Sequence, residues 1–429
     1  MKILFTPNDI GGGFGHVSRC LAVAEYFKQL GISTAFLMHH KAAIAKVSNE
    51  YKVFNIDLSF RFPVFWKNIL RYFKKPLVEP LFLKVSDLSY QVIRDGFTSI
   101  RIIKKIINFY LDVLNEYKPD IIINDTNLLI GIAAKILHIP VIQIIRKAFY
   151  PEEPKLIWWD DKDNPDPPDI LPLFNEVLGN YKLTSIPRAE DLLKGEVYIV
   201  PSIPELEPGM KGQNTFYAGP LLKKEKDEQQ FNFDNNGGKN IYVTLGGGAV
   251  GHTHFFELMN KSLKGADYNV IVSTSGKYKR QQIENVSNIH YHKWLPGRQV
   301  IEQSDLVVFH GGYGTMMETI EAGIPSLVIP FHSEQESNGR RLKENGCSEV
   351  CKLSNQEEVI VKKEWNFGAY SYAVQNEFTL SNDEFLGYIE KLFEDDFYQI
   401  NAGKLSEKFK MYEGPAKIFS IIRDHFNVS

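Results

Sequence analysis

A chain of 429 residues exceeds what one ordinary hydrophobic core holds, so two domains of roughly 200 residues each are expected. Hydrophobic residues make up 44% and charged residues 24%, the balance of a soluble globular protein, and a net charge of −3 lacks the basic footprint of a nucleic-acid binder. Three cysteines, Cys20, Cys347 and Cys351, form no disulfide framework and fit a reducing cytosol.

The opening run 1–7 is too short and too quickly interrupted for a signal peptide. The most apolar long window, 121–145, is broken by Asn124, Asp125, Lys135, His138 and Pro140, so it does not read as a membrane span and a cytoplasmic protein is expected. A short buried strand over 2–5 leads into the Gly-rich turn Gly11-Gly12-Gly13-Phe14-Gly15-His16, then a helix over 17–30, which Gly31 ends, and a strand over 34–38. This β-loop-α-β order implies parallel strands joined by a right-handed crossover. The segment 61–84 carries six basic residues among many aromatics. It reads equally as a stretch that contacts a membrane or lines a greasy cleft and as a core helix with a solvated basic face. A buried strand over 121–125 ends in Asn124-Asp125, followed by a helix over 128–137 and a strand over 141–145.

Positions 221–240 are polar, charged and Gly-containing and read as a linker. A second β-α alternation follows, with strands over 241–245, 268–273, 289–291, 306–309 and 326–329, and two closing helical stretches over 382–398 and 402–426. The expected division is a first domain over 1–220, a second over 241–400, and a terminal helix over 401–429 that packs back toward the first domain.

The densest motif follows the strand over 306–309. His310-Gly311-Gly312-Tyr313-Gly314-Thr315 opens a helix over 316–322, with Glu318 in its first turn. Gly323-Ile324-Pro325, Pro330, Glu334-Gln335 and Asn338 come next. Glycines let a ligand approach the backbone and free N–H groups to face it, while a helix N-terminus adds partial positive charge. Together they make an anion site.

In this order, His-Gly-Gly-x-Gly-Thr-x-x-Glu, Gly-x-Pro, Pro, acidic-Gln and Asn resemble the donor-binding signature of the UDP-glycosyltransferase family (family 1). The resemblance is strongest over 294–346. It implies an α/β GT-B fold, two Rossmann-like domains facing each other across a cleft. His310, Gly312, Gly314 and Thr315 would then meet the diphosphate, and Glu318 the ribose hydroxyls. Glu334 and Gln335 would hold the transferred sugar, with Asn338 near the phosphates. The family usually has Asp where Glu334 stands. Trp294, in Trp294-Leu295-Pro296, matches an aromatic that stacks on the nucleobase, against the alternative of a core tryptophan. Gly246 and Gly247, after the domain's first strand, would approach the phosphates from the other side. The Glu-x7-Glu pattern typical of retaining enzymes of the same fold is absent, because counting from Glu318 the second position is Ser326. An inverting reaction without metal or other cofactor is expected. Asp161 and Asp163 then read as a solvated loop, and His252 and His254 as loop histidines.

Gly15-His16 resembles the family's general base, a role for which histidine is chemically suited. Asp125 is the candidate partner that orients it, against the alternative of a helix N-cap. The family's Gly-His-x-x-Pro is here Gly15-His16-Val17-Ser18-Arg19, a variant similar to nucleotide-sugar hydrolases of the pseudaminic acid pathway. Three readings follow. One is transfer from a nucleotide-diphosphate sugar, by family default a UDP-sugar, to a small-molecule, natural-product or lipid hydroxyl. The others are hydrolysis of that donor and non-catalytic nucleotide-sugar binding.

Overall fold

A computed structural model describes residues 1–11, 13–58, 80–152, 165–223, 231–233, 238–246, 252–274 and 287–426, without the side chains of His252 and Thr253. Most of the basic-aromatic segment 61–84, together with Asp161, Asp163 and Gly247, lies outside the described residues.

Among the described residues, eight strands lie in the first half: β1 (Lys2–Pro7), β2 (Ser33–Met38), β3 (Lys52–Asn55), β4 (Phe82–Lys84), β5 (Ile121–Asp125), β6 (Val141–Ile144), β7 (Val197–Val200) and β8 (Thr215–Tyr217). Seven of them form one parallel sheet in the order β3-β2-β1-β5-β6-β7-β8. β5 is buried along its whole length and reads as an unbroken apolar run, because both faces of a doubly wound sheet are covered. One cover is the helix Ile100–Tyr117, N-capped by Ser99, which buries Ile103, Ile106, Ile107, Tyr110, Val113, Leu114 and Tyr117 at helical spacing. Strand order reverses between β1 and β5, whose register pairs Pro7 with Asp125. Ligands of such sheets collect at this reversal, beyond the C-terminal strand ends.

The second half repeats the plan with β9 (Lys239–Thr244), β10 (Tyr268–Ser273), β11 (Ile289–His292), β12 (Leu306–Phe309), β13 (Ser326–Val328) and β14 (Ser348–Val350). Their order, β11-β10-β9-β12-β13-β14, is again parallel and reverses between β9 and β12, where Thr244 pairs with Phe309. Gly246 and His310 follow these two strand ends.

Three features differ from expectation. A hairpin of β15 (Val359–Trp365) and β16 (Gly368–Gln375) follows β14, and β4 of the first half completes its antiparallel sheet. Trp365 and Phe367 pack on the first domain's core, and Asp166 N donates to Ser371 Oγ at 2.9 Å, so the hairpin straps the two halves together. Secondly, the chain closes with three helices, not two: Asn382–Glu394, Asp396–Lys410 and Pro415–Phe426. Asp395 caps the middle one by accepting from Phe397 N, and Gly414-Pro415 separates the last. The middle helix runs through position 400/401 and packs on the second domain, where Ser406 Oγ donates to Glu321 O at 2.7 Å, while its Lys408 also meets Glu205 of the first half at 2.9 Å. The last packs on the first domain's core, Phe419 meeting Phe27 edge-on at 6.1 Å. Thirdly, the ends of the 221–240 stretch belong to the domains: Leu221 is buried in the first core, and Phe231 and Phe233 pack on the second.

Candidate active site

The helix Gly15–Gln29 begins just past the end of β1, so its first turn stands over the β1/β5 reversal. His16 and Arg19, three residues apart, share the helix face toward β5. His16 Nδ1 lies 2.7 Å from Asp125 Oδ1. Arg19 grips both oxygens of that carboxylate, Nε at 2.8 Å from Oδ2 and Nη2 at 2.9 Å from Oδ1. The same Nη2 is 2.8 Å from His16 Nδ1, and Thr126 Oγ1 is 3.2 Å from it. Asp125 is fully buried, Arg19 nearly so, and the His16 side chain is one-third exposed. Burial alone would raise the Asp125 carboxyl, but Arg19 and His16 hold it below the ordinary carboxylate value.

Asp125 does not cap the following helix. Asn127 does so, its Oδ1 accepting from Leu129 N at 3.1 Å and Ile130 N at 3.3 Å. Between them Thr126 adopts φ +59°, a left-handed conformation that a β-branched side chain strongly disfavours. That turn keeps both Asp125 and Thr126 beside His16.

On the second domain the helix Tyr313–Ala322 starts three residues before the expected 316, which moves Glu318 from the first turn to the second. Its N-terminus opens at the β9/β12 reversal. The His310 imidazole rests against two glycine backbones. A Cβ on Gly246, which has φ +68°, would stand 2.7 Å from the ring, and one on Gly312 would overlap it. Gly314 is exposed, and Thr315 and Glu318 are half-buried. Glu318 Oε2 lies 3.8 Å from where a Gly297 side chain would begin, so the carboxylate borders the Trp294-Leu295-Pro296-Gly297 turn. Trp294 is 72% exposed and is therefore not a core residue. Lys46 of the first domain holds its ammonium 5.8 Å from the Trp294 ring and 4.8 Å from the Phe14 ring.

Glu334, Gln335 and Asn338 begin the helix Ser333–Glu344, yet they face three different ways. Gln335 Oε1 turns back to accept from Phe331 N at 2.8 Å, a capping reach at the start of the helix. Asn338 is buried and spans two groups, donating to Gly311 O at 2.7 Å and accepting from Arg146 Nη2 at 2.7 Å. Glu334 remains 39% exposed, with Oε1 3.3 Å from Arg146 Nη1. Burial would raise its carboxyl, but Arg146, His332, His16 and Arg19 together hold it below the ordinary value.

Arg146, which sequence reasoning missed, comes from the end of β6 in the first domain and is anchored by Glu207, Nε to Oε1 at 2.6 Å. Its only sequence signal is a charge directly after a buried apolar strand, at the edge where such sheets bind ligands. His254 lies 3.7 Å from Glu257. No helix among the described residues is long and apolar enough to cross a membrane.

The family model of the glycosyltransferase family 28 C-terminal domain matches residues 239–363. The NDP-glycosyltransferase YjiC of Bacillus subtilis strain 168 is 22% identical over 346 residues, covering 78% of this chain and 81% of that one. The crystal structure of CalG4, the calicheamicin glycosyltransferase, superposes with a TM-score of 0.72 at 16% identity over 98% of both chains. The spinosyn rhamnosyltransferase SpnG, solved with thymidine diphosphate, gives 0.66 at 15% identity over 99% of this chain and all of the other. The chain has the GT-B fold, with its two Rossmann-like domains, and is a glycosyltransferase.

Proposed function

We propose that the enzyme moves a sugar, with inversion and without a metal, from a nucleoside-diphosphate sugar to a hydroxyl of a small-molecule acceptor in the cytoplasm. The observation that carries this reading is the His16–Asp125 pair at one strand reversal, with Arg146 of the same domain reaching Glu334 and Asn338 beside the opposite one. With its proton on Nδ1, shared with Asp125, the imidazole presents the Nε2 lone pair to an acceptor hydroxyl. Nε2 takes that proton as the oxygen bonds to the anomeric carbon and the bond from that carbon to the diphosphate breaks. The leaving diphosphate gains negative charge at the N-terminus of the helix Tyr313–Ala322, beside His310. Trp294 would carry the base and Glu318, at the adjoining turn, the ribose.

A uracil donor is the family default, and a thymine base would stack on Trp294 equally. The basic-aromatic composition of 61–84 extends the acceptor class to lipids and a peripheral membrane contact, which flotation with anionic liposomes tests. The Gly-His-x-x-Arg variant supports a second reading, water as acceptor. The deciding experiment incubates the protein with UDP- and TDP-sugars and follows nucleoside diphosphate release with and without phenolic, alcoholic and lipid acceptors. Acceptor-dependent release is expected. Equally fast release without acceptor makes the protein a hydrolase, and no release under any condition makes it a non-catalytic binder.

A further inference from the structure

Tyr313 sits in the middle of the donor loop, yet its side chain turns away from the loop's glycines. The ring is buried, and its hydroxyl donates to the Pro201 carbonyl of the first domain. Arg19 stands 4.9 Å from the ring centroid and Arg146 4.8 Å from it, so two arginines of the first domain enclose a tyrosine of the second. Each guanidinium is also neutralised by a buried carboxylate, Arg19 by Asp125 and Arg146 by Glu207, which allows two cations to share one ring. Each has a further contact in the cleft. Arg19 Nη2 lies 2.8 Å from His16 Nδ1, and Arg146 reaches Glu334 and Asn338.

The contact at His16 has a chemical consequence. Nδ1 has a single in-plane position for a hydrogen or a lone pair, and of the three groups that reach it, Asp125 Oδ1 at 2.7 Å and Arg19 Nη2 at 2.8 Å stand nearer than Thr126 Oγ1 at 3.2 Å and compete for it. Bonded to Asp125 Oδ1, it carries the proton and leaves Nε2 free to accept one. Accepting from Arg19 Nη2, it has no proton, Nε2 carries it instead, and the imidazole cannot act as a base. Which tautomer forms depends on whether the Arg19 fork stays on the Asp125 oxygens or slides onto the imidazole. The Tyr313 ring is the surface against which that fork is held.

We propose that Tyr313 is a positioning residue that, by holding Arg19 on Asp125 when the two domains meet, keeps His16 in its proton-accepting tautomer. Arg146, held over the same ring, ties this contact to Glu334. Docking of the donor loop and competence of the base are thereby one event. This inference rests on the reading of His16 as the base.

The test uses full-length protein labelled with 15N-histidine, wild type and Tyr313→Phe, Tyr313→Leu and Tyr313→Leu/Arg19→Lys. The His16 ring-nitrogen signals are assigned from their loss in His16→Ala, and thermal melting and UDP and TDP affinity by Trp294 fluorescence serve as fold controls. Wild type and Tyr313→Phe, which keeps the ring, are expected to show the Nδ1–H tautomer. Tyr313→Leu is expected to shift toward Nε2–H and, where transfer is measured, to lose about 100-fold in kcat with donor KM little changed. The double variant, which lacks the competing fork, is expected to regain Nδ1–H, an outcome that a merely structural tyrosine does not produce. An Nε2–H tautomer in the wild type, or an unshifted one in Tyr313→Leu, overturns the proposal. If Tyr313→Leu does not fold, Tyr313→Met supplies the same readout. A tautomer shift in a protein that transfers no sugar would leave the positioning role standing and remove the proposed function alone.

Discussion

His16 Nδ1 and Asp125 Oδ1 lie 2.7 Å apart although 109 residues separate them in the chain. The parallel register of β1 and β5 makes the contact, since Pro7 opposite Asp125 brings both strand ends to the same level. Replacing His16 by Ala is expected to abolish turnover and leave nucleoside diphosphate affinity nearly intact, because His16 is on the acceptor side of the cleft. Steady-state kinetics and titration calorimetry separate the two quantities. An equal loss of both would remove His16 from the role of base.

Asp125→Asn is expected to cost both activity and stability. Turnover should fall by about 10⁴, the effect of a wrong tautomer in a comparable dyad. Arg19 would lose its buried counter-charge, a destabilisation of about 3–5 kcal/mol. The native Asp125 carboxyl is held below its unfolded value, so its contribution to stability is complete above the ordinary carboxylate range. That contribution is lost as the pH falls through the lowered native value. Melting curves on the acid side should therefore be less steep in pH for the variant than for the wild type. Parallel curves would show that Asp125 does not report on folding.

The Trp294 ring is the most exposed aromatic noted at the cleft, and Glu318 borders its turn. Trp294→Ala should weaken UDP and TDP binding by about 1–3 kcal/mol, the worth of a base stacked on an aromatic platform. Glu318→Ala should lower affinity for nucleotides and spare free diphosphate. Unchanged nucleotide affinity in both variants would move the base site elsewhere.

Glycines of the donor loop are not equivalent. A methyl group on Gly312 would overlap the His310 imidazole, whereas one on Gly314 would meet nothing within 4 Å. Gly312→Ala is expected to displace His310 and lose most donor turnover, while Gly314→Ala should fold normally and lose affinity only where its methyl meets a bound diphosphate. Comparing kcat/KM with diphosphate affinity for the two variants checks this, and identical profiles would contradict the nested position of His310.

What could be read from the sequence was local. Short apolar runs mark strands that end at a ligand edge, which locates His16 and Asp125, while the roles expected of His16, His310 and Gly312 come from the family resemblance. The tyrosine clamp was not legible, because Arg19, Arg146 and Tyr313 meet only when two domains face each other. The hydrogen bond from Phe331 N to Gln335 Oε1 was likewise not legible, because it depends on where the helix Ser333–Glu344 starts. The hairpin was missed because β15 shows no clear alternation, being exposed or half-exposed at every position.

Thr126 offers the last prediction, because its backbone sets activity against stability. Its φ of +59° places a β-branched residue in the left-handed region, at a cost on the order of 1–3 kcal/mol. Its hydroxyl stands 3.2 Å from His16 Nδ1, and its carbonyl accepts from Gln91 Nε2 at 3.1 Å. Asparagine tolerates this conformation better than threonine does. Thr126→Asn should therefore raise stability by about 1 kcal/mol in denaturant unfolding, while altering the polar contact at His16 and lowering kcat. A variant that is no more stable would mean the turn is unstrained. One that gains stability without losing kcat would mean the Thr126 hydroxyl has no part in holding the imidazole. The strain is tolerable because β5, Asp125 and Asn127 are all buried around it, fixing the backbone on both sides of the turn.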